Sequence, residues 1–140
     1  MTMTIHVDIV SAEKEIFSGL AEMVFAPAEM GEVGIAPRHA PFITRLNPGE
    51  VRVKVSGGES QPFFVSGGMM EVQPHLVTIL ADTAIRAKDI DEAAALEAKA
   101  RAEESLADKS GKIDYAKAQA ELIEAIMQLR TLERLRKRGG

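Results

Sequence analysis

Between Ile5 and about Arg86, apolar residues recur at every second position in short runs broken by Gly and Pro. That is the pattern of half-buried antiparallel strands. Ile5, Val7 and Ile9 fall on one face, while Val51, Val53 and Val55 share another with Arg52 and Lys54 opposite. Further strands are expected at residues 23–26, 42–46, 63–65, 69–72 and 76–80. A count of about eight to ten short strands predicts an all-β sandwich or flattened barrel. Ser56-Gly57-Gly58-Glu59 and Asn47-Pro48-Gly49-Glu50 both carry the chemistry of tight reversals and are expected to close hairpins.

After Arg86 the turn residues thin out and the composition shifts to Ala, Glu, Lys and Leu, the strongest helix formers. Asp89 is expected to cap a helix over residues 89–107, with Glu92 in a capping-box position. Asp108-Lys109-Ser110-Gly111-Lys112 interrupts it, and Asp114 caps a second helix over residues 114–136. Tyr115, Ala118, Leu122, Ala125, Leu129 and Leu132 keep one apolar seam along that helix. Ala93, Leu96 and Ala100 are expected to face it across an antiparallel two-helix hairpin. Side chains this small bury little per contact, which suits a hairpin that opens; a rigid spacer has the same composition. Ile123 and Ile126 lie off the seam and need another surface to cover them. The expected organisation is a β docking domain over 1–86 and a helical hairpin over 87–140.

Composition narrows the possible partners. The net charge is −4 and there are no cysteines, so disulfides, thiolate metal ligands and a cysteine nucleophile are excluded. Nucleic-acid binding rests on dense Lys and Arg and is not expected. No run approaches the roughly 18 apolar residues of a membrane span, and the first residues do not read as a signal peptide. Charge is nevertheless uneven: Arg130, Arg134, Arg136, Lys137 and Arg138 stand against Glu133 alone in residues 130–140. Complementing a helix dipole accounts for the position of these cations but not for their number.

A search for reaction chemistry finds no nucleus. His6, His39 and His75 are too scattered for helical metal-ligand spacing, and no metal site is expected. His6 reads as a strand-surface residue and His75 as part of a turn after Pro74. His39, held between Pro37 and Pro41, fits a placed contact residue and a merely rigid loop equally well. No nucleophile elbow or phosphate-binding P-loop occurs. The paired carboxylates Glu103 with Glu104 and Asp89 with Asp91 fall in a charged helical stretch, where caps and solvated faces explain them. The residues alone describe a two-part adaptor, a β-domain that docks and an arm with a basic tip that reaches.

The segment Glu29-Met30-Gly31-Glu32-Val33-Gly34-Ile35-Ala36-Pro37-Arg38-His39-Ala40-Pro41 resembles the signature loop of bacterial F-type ATP synthase epsilon subunits. Ser66-Gly67-Gly68-Met69-Met70-Glu71-Val72-Gln73-Pro74, Val77-Thr78-Ile79-Leu80-Ala81-Asp82 and Ile113-Asp114-Tyr115 reinforce it in order and spacing. The likeness spans essentially the whole chain. It implies a non-catalytic central-stalk rotor subunit that couples proton-driven rotation of the membrane ring to ATP synthesis. The implied partners are the gamma subunit, the c subunits of the rotor ring, and the catalytic beta and alpha subunits. The implied location is peripheral, at the cytoplasmic face of the bacterial inner membrane and held only through the complex.

By the same resemblance, Glu32 and His39 would face the ring, although an ordinary turn carboxylate also fits Glu32. The hairpin would lie folded on the sandwich or extend beside the shaft to inhibit ATP hydrolysis, with Arg130, Arg134 and Arg136 drawn to acidic loops on beta. Some members of the family bind ATP on the folded hairpin through an Ile/Leu-Asp-x-x-Arg-Ala motif. Here Ile90-Asp91-Glu92-Ala93-Ala94-Ala95 puts Ala94 in place of the motif arginine. Asp91 and Arg101 match ATP-contacting positions, whereas Glu124 and Gln128 stand where strong binders carry arginines. Weak or absent ATP binding follows, and no other cofactor is expected. The alternative is an autonomous nucleotide-sensing or adaptor module that shares this architecture.

Overall fold

A computed structural model describes residues 3–138, so residues 1, 2, 139 and 140 of the two expected ranges lie outside it. The alternating half becomes β1 (Ile5–Ser11), β2 (Glu15–Ala28), β3 (Gly31–Ile35), β4 (Phe42–Leu46), β5 (Gly49–Val55), β6 (Ser60–Val65), β7 (Gly68–Gln73), β8 (Leu76–Ala81) and β9 (Ala84–Arg86). A 3-10 turn at Ala87–Asp89 leads into α1 (Glu92–Ala107) and α2 (Tyr115–Arg138). The fold is the expected β-sandwich followed by two helices.

The long strand β2 joins the two layers. Its first part pairs with β1, its last part with β3 and β5, and its register against β5 slips between Ala21 and Met23. Such an irregularity bends a strand and strengthens its twist. One layer continues from β1 through β8 and β7 to β4; the other runs from β2 through β5 and β6 to β9. Strands β1 and β8 pair in parallel, and the remaining pairings are antiparallel. Between the layers Ile5, Val7, Ile9, Val24, Val51, Val53, Phe63, Val65, Met70, Val72, Val77 and Ile79 are buried. These are the inward positions that alternation selects. At the start of β7, Gly68 has φ 142 and a Cβ there would overlap the Leu80 carbonyl oxygen, so the strand crossing requires glycine.

Four local expectations are corrected. Ser56 to Glu59 does close the β5–β6 hairpin, with Gly57 and Gly58 at positive φ, but Asn47 to Glu50 closes none. There β4 leaves to pair with β7 while β5 pairs with β2 and β6; Asn47 bonds through its backbone N–H to Pro27 O at 2.8 Å. Much of the signature loop is strand, since residues 31–35 form β3 against β2.

The first helix is capped by Asp91, not Asp89: the Ala94 backbone N–H donates to Asp91 Oδ1 at 3.1 Å, while Asp89 closes the 3-10 turn. Asp114 caps α2 as expected, accepting from the Lys117 N–H at 3.1 Å. The helical seam also has a different phase on α1. Ala95 and Ala102 are buried there, whereas Ala93, Leu96 and Ala100 are exposed. In an alanine-rich helix several stripes are nearly equivalent, so one leucine is a poor guide to the buried one. On α2, Ala118, Ala125 and Leu132 are buried as expected, Leu122 and Leu129 are half-buried, and Tyr115 is exposed with its hydroxyl donating to Asp108 O. Ile126 is half-buried and Ile123 remains exposed.

Candidate functional site

The outer face of the β1–β8–β7–β4 layer is apolar where a solvated sheet face would be polar. Register places Val10 beside Leu80, Leu80 beside Met69 and Met69 beside Arg45. Ile43, two residues from Arg45, extends the row diagonally. Leu80 is 56% exposed and Ile43 62%. Large apolar side chains adjoining one another on a sheet surface mark a docking face. The near-continuous apolar run Leu76-Val77-Thr78-Ile79-Leu80 carried that signal in the sequence, because it leaves only Thr78 polar on the outer face.

Next to this row, His6 Nε2 lies 2.9 Å from Asp8 Oδ1 and 3.1 Å from Ser18 Oγ, while Ser18 donates to Asp8 at 2.7 Å. A catalytic triad needs the carboxylate and the hydroxyl on different ring nitrogens. Here both meet one nitrogen on an open strand surface, an arrangement that ties β1 to β2.

Glu32 is the second residue of β3, and His39 lies four residues beyond its other end. Glu32 is exposed near the β2–β3 turn and accepts from Arg52 Nη2 at 3.0 Å. His39 sits in the β3–β4 loop, with Nδ1 2.7 Å from Ala40 O and its ring against Phe42 at 5.3 Å between centroids. Arg38 holds φ 64 beside it, and its N–H donates to Pro74 O at 2.9 Å. The loop is thus set by its backbone as well as by its prolines.

The basic end of α2 is not free in this arrangement. Arg136 donates to both Glu92 carboxylate oxygens, one at 3.1 Å, and joins the end of α2 to the start of α1. The hydrogen bond to Arg136 holds the Glu92 carboxyl below its ordinary value. Arg134 Nη1 is 3.7 Å from Glu50 Oε1, and Arg138 Nη2 donates to Glu50 Oε2 at 2.9 Å. Arg130 lines the same groove as Glu32, Glu50 and Arg134, and has no ion-pair partner among the described residues. Sequence reasoning missed Glu50, Arg52 and Arg138 as members of this cluster. Glu50 directly follows the turn-like Asn47-Pro48-Gly49, where a carboxylate reads as solvated.

A cleft of about 530 Å³ between α1, α2 and β9 brings together the positions expected to bear on ATP. Asp91, Ala94, Arg101, Glu124 and Gln128 all line it, with Asp89 and Glu121. Four carboxylates therefore face one guanidinium, and Asp91 Oδ1 is already used as the helix cap. Arg101 leans toward Glu97 at 4.0 Å. Burial, with a smaller contribution from Glu121, raises the Glu124 pKa above its ordinary value. Acidic side chains thus outnumber basic ones in this lining.

An apolar face on a β-sandwich and a folded helical pair with a basic end make a two-part architecture. Residues 4–87 match the ATP synthase Delta/Epsilon chain beta-sandwich domain, and residues 88–133 match the long alpha-helix domain of the same chain. The chain belongs to the ATP synthase delta/epsilon family. It is 69% identical over all of its length, and all of the relative's, to the ATP synthase epsilon chain of Nitrosococcus oceani. It is 71% identical to ATP synthase epsilon chain 1 of Methylococcus capsulatus, covering 98% of both chains. In fold it is similar to a chain in the Euglena gracilis mitochondrial ATP synthase OSCP/F1/c-ring structure, with a TM-score of 0.82 at 19% identity, covering 92% of this chain and 81% of that one. Among the described residues no helix is long and apolar enough to cross a membrane.

Proposed function

We propose that this chain is a non-catalytic rotor subunit of an ATP synthase, docked through its β-domain and regulating hydrolysis through its two helices. The observation that carries the reading is full-length similarity to ATP synthase epsilon chains across both parts of the fold. In this reading the apolar row Val10, Leu80, Met69 and Ile43 packs on the gamma shaft, where burial of these side chains supplies affinity. Glu32 in β3 and His39 in the β3–β4 loop face the polar loops of the c-ring. The complex then holds the chain at the cytoplasmic face of the inner membrane without a span of its own.

The arm has two positions in the proposal. Folded, it covers the outer face of β5 and β6. Extended, it presents Arg130, Arg134 and Arg136 to acidic loops of the beta and alpha subunits and opposes rotation in the hydrolysis direction. ATP binds the cleft weakly or not at all, because Ala94 removes a guanidinium and Glu124 adds a negative charge.

The test is ATP hydrolysis by the matching catalytic complex stripped of this chain, then supplied with either the full chain or residues 1–86. Suppression by the full chain, with binding but no suppression by the shorter one, supports dock and brake. Absence of binding by the full chain would falsify the rotor assignment.

A further inference from the structure

Glu50 lies on the outer face of β5, yet its side chain is only 3% exposed. Three guanidinium groups surround it. Arg138 donates to Oε2 at 2.9 Å, while Arg134 and Arg52 approach Oε1 at 3.7 and 3.5 Å. Arg52 belongs to the β-domain and is fixed there, bonded to Glu32 and lying over the Phe25 ring at 4.5 Å. The other two partners belong to the last turns of α2. Where its neighbour Phe64, opposite it on β6, meets Ile90 and Leu132 in an apolar cluster, Glu50 meets the arm's cations.

We propose that Glu50 is a clasp: a carboxylate socket that holds Arg134 and Arg138 while the arm is folded, so that an acidic partner that engages Arg134 must compete with Glu50 for it. The competition rests on the regulatory reading above; the clasp does not.

The chemistry favours a clasp that positions the arm and lets it go. A carboxylate out of water is costly unless paired, and its attraction to the arginines does little more than offset that cost. Two of the approaches exceed 3.4 Å, and Arg134 and Arg138 keep 50% and 39% of their side-chain surface in water. Lifting the arm returns Glu50 and both arginines to solvent while Arg52 remains beside Glu50. Each position therefore leaves every charge either paired or hydrated, the near-balance that a reversible device needs. The pairing also adds orientation to the apolar contacts that α2 makes through Met127, Leu132 and Leu135.

The absence of native cysteines permits labelling by Glu59→Cys and Lys137→Cys, one in the exposed β5–β6 turn and one on the exposed end of α2. Distances between spin labels on the full chain then report the arm. Glu50→Gln is expected to raise the separated population about threefold, and Arg134→Ala with Arg138→Ala to match it. Combining all three changes should add little, as members of one interaction are not additive. Sodium chloride should open the parent arm and have a smaller effect on Glu50→Gln.

Unchanged distances in both Glu50→Gln and the double arginine variant, with the β-domain folded, overturn the clasp. With the catalytic complex, Glu50→Gln should also strengthen inhibition of hydrolysis. An arm that opens without stronger inhibition leaves the clasp standing and overturns the competition.

Discussion

The β-domain and the arm are built to different standards of commitment. Seventeen buried residues contributed by eight strands interlock in the sandwich, and its largest members, Phe63, Ile5, Ile9 and Met70, are fully enclosed. The arm rests on the domain through a second cluster whose buried members are Phe64, Ala87, Ile90 and Leu132. Its two helices meet largely through Ala95, Ala102, Ala118 and Ala125, which bury little surface each. The difference teaches where motion is inexpensive. Separating the arm exposes one small cluster, whereas disturbing the sandwich costs a whole core.

The strongest way to break the comparison is to cut into each cluster and ask how far the damage travels. Phe63→Ala should lower the global unfolding free energy by about 3–5 kcal/mol, seen as a lower urea midpoint for every probe. Leu132→Ala should cost about 2–3 kcal/mol, but only in the docking of the arm. Amide exchange should then accelerate along α2 while the strands keep their protection. If Leu132→Ala lowers strand protection as much as Phe63→Ala, the two parts form one cooperative unit and the contrast fails.

Legibility follows the same division. The sandwich was readable because period two and side-chain size agree: Val51, Val53, Val77 and Ile79 point inward with no alternative register that buries as much. Connections were less readable, since Asn47-Pro48-Gly49 has turn chemistry whether the next strand pairs with the last one or crosses to another layer. On the arm, alanine at seven of the sixteen positions of α1 left the phase to Leu96, which is half exposed. The cleft was foreseeable as a place, because Asp91, Ala94, Arg101, Glu124 and Gln128 do converge. Glu50 was not foreseeable, because no local pattern distinguishes a carboxylate awaiting arginines 84 and 88 positions later from one facing water.

A finer test uses charge inside the arm. Glu124 titrates above its ordinary value of 4.5 because it is partly buried and faces Glu121. Its ionised form therefore weakens the folded arm at neutral pH. As pH falls from neutral through the raised value, the folded arm takes up a proton and gains relative to the open one. Glu124→Gln should supply that gain at neutral pH and remove the pH response, by less than about 1 kcal/mol once solvent screening is allowed for. Exchange rates along α2 at neutral and mildly acidic pH would measure it. An unaltered pH response in Glu124→Gln counts against this assignment.

The smallest effect has the opposite sign and lies in the adjoining window. Glu92 titrates below its ordinary value of 4.5, chiefly through its hydrogen bond from Arg136 and secondarily through that residue's charge. Its contribution is present above the ordinary value and is lost as pH falls through the depressed one. Because the pair is solvent-facing, salt should weaken it. The arm should therefore tighten on moderate acidification through Glu124 and loosen on stronger acidification through Glu92, while the buried β core responds to neither. Glu92→Gln should leave the first limb intact and flatten the second. Label distances followed across both windows separate the two carboxylates, since each variant removes one limb; loss of both limbs in either variant would mean that they report a single coupled opening.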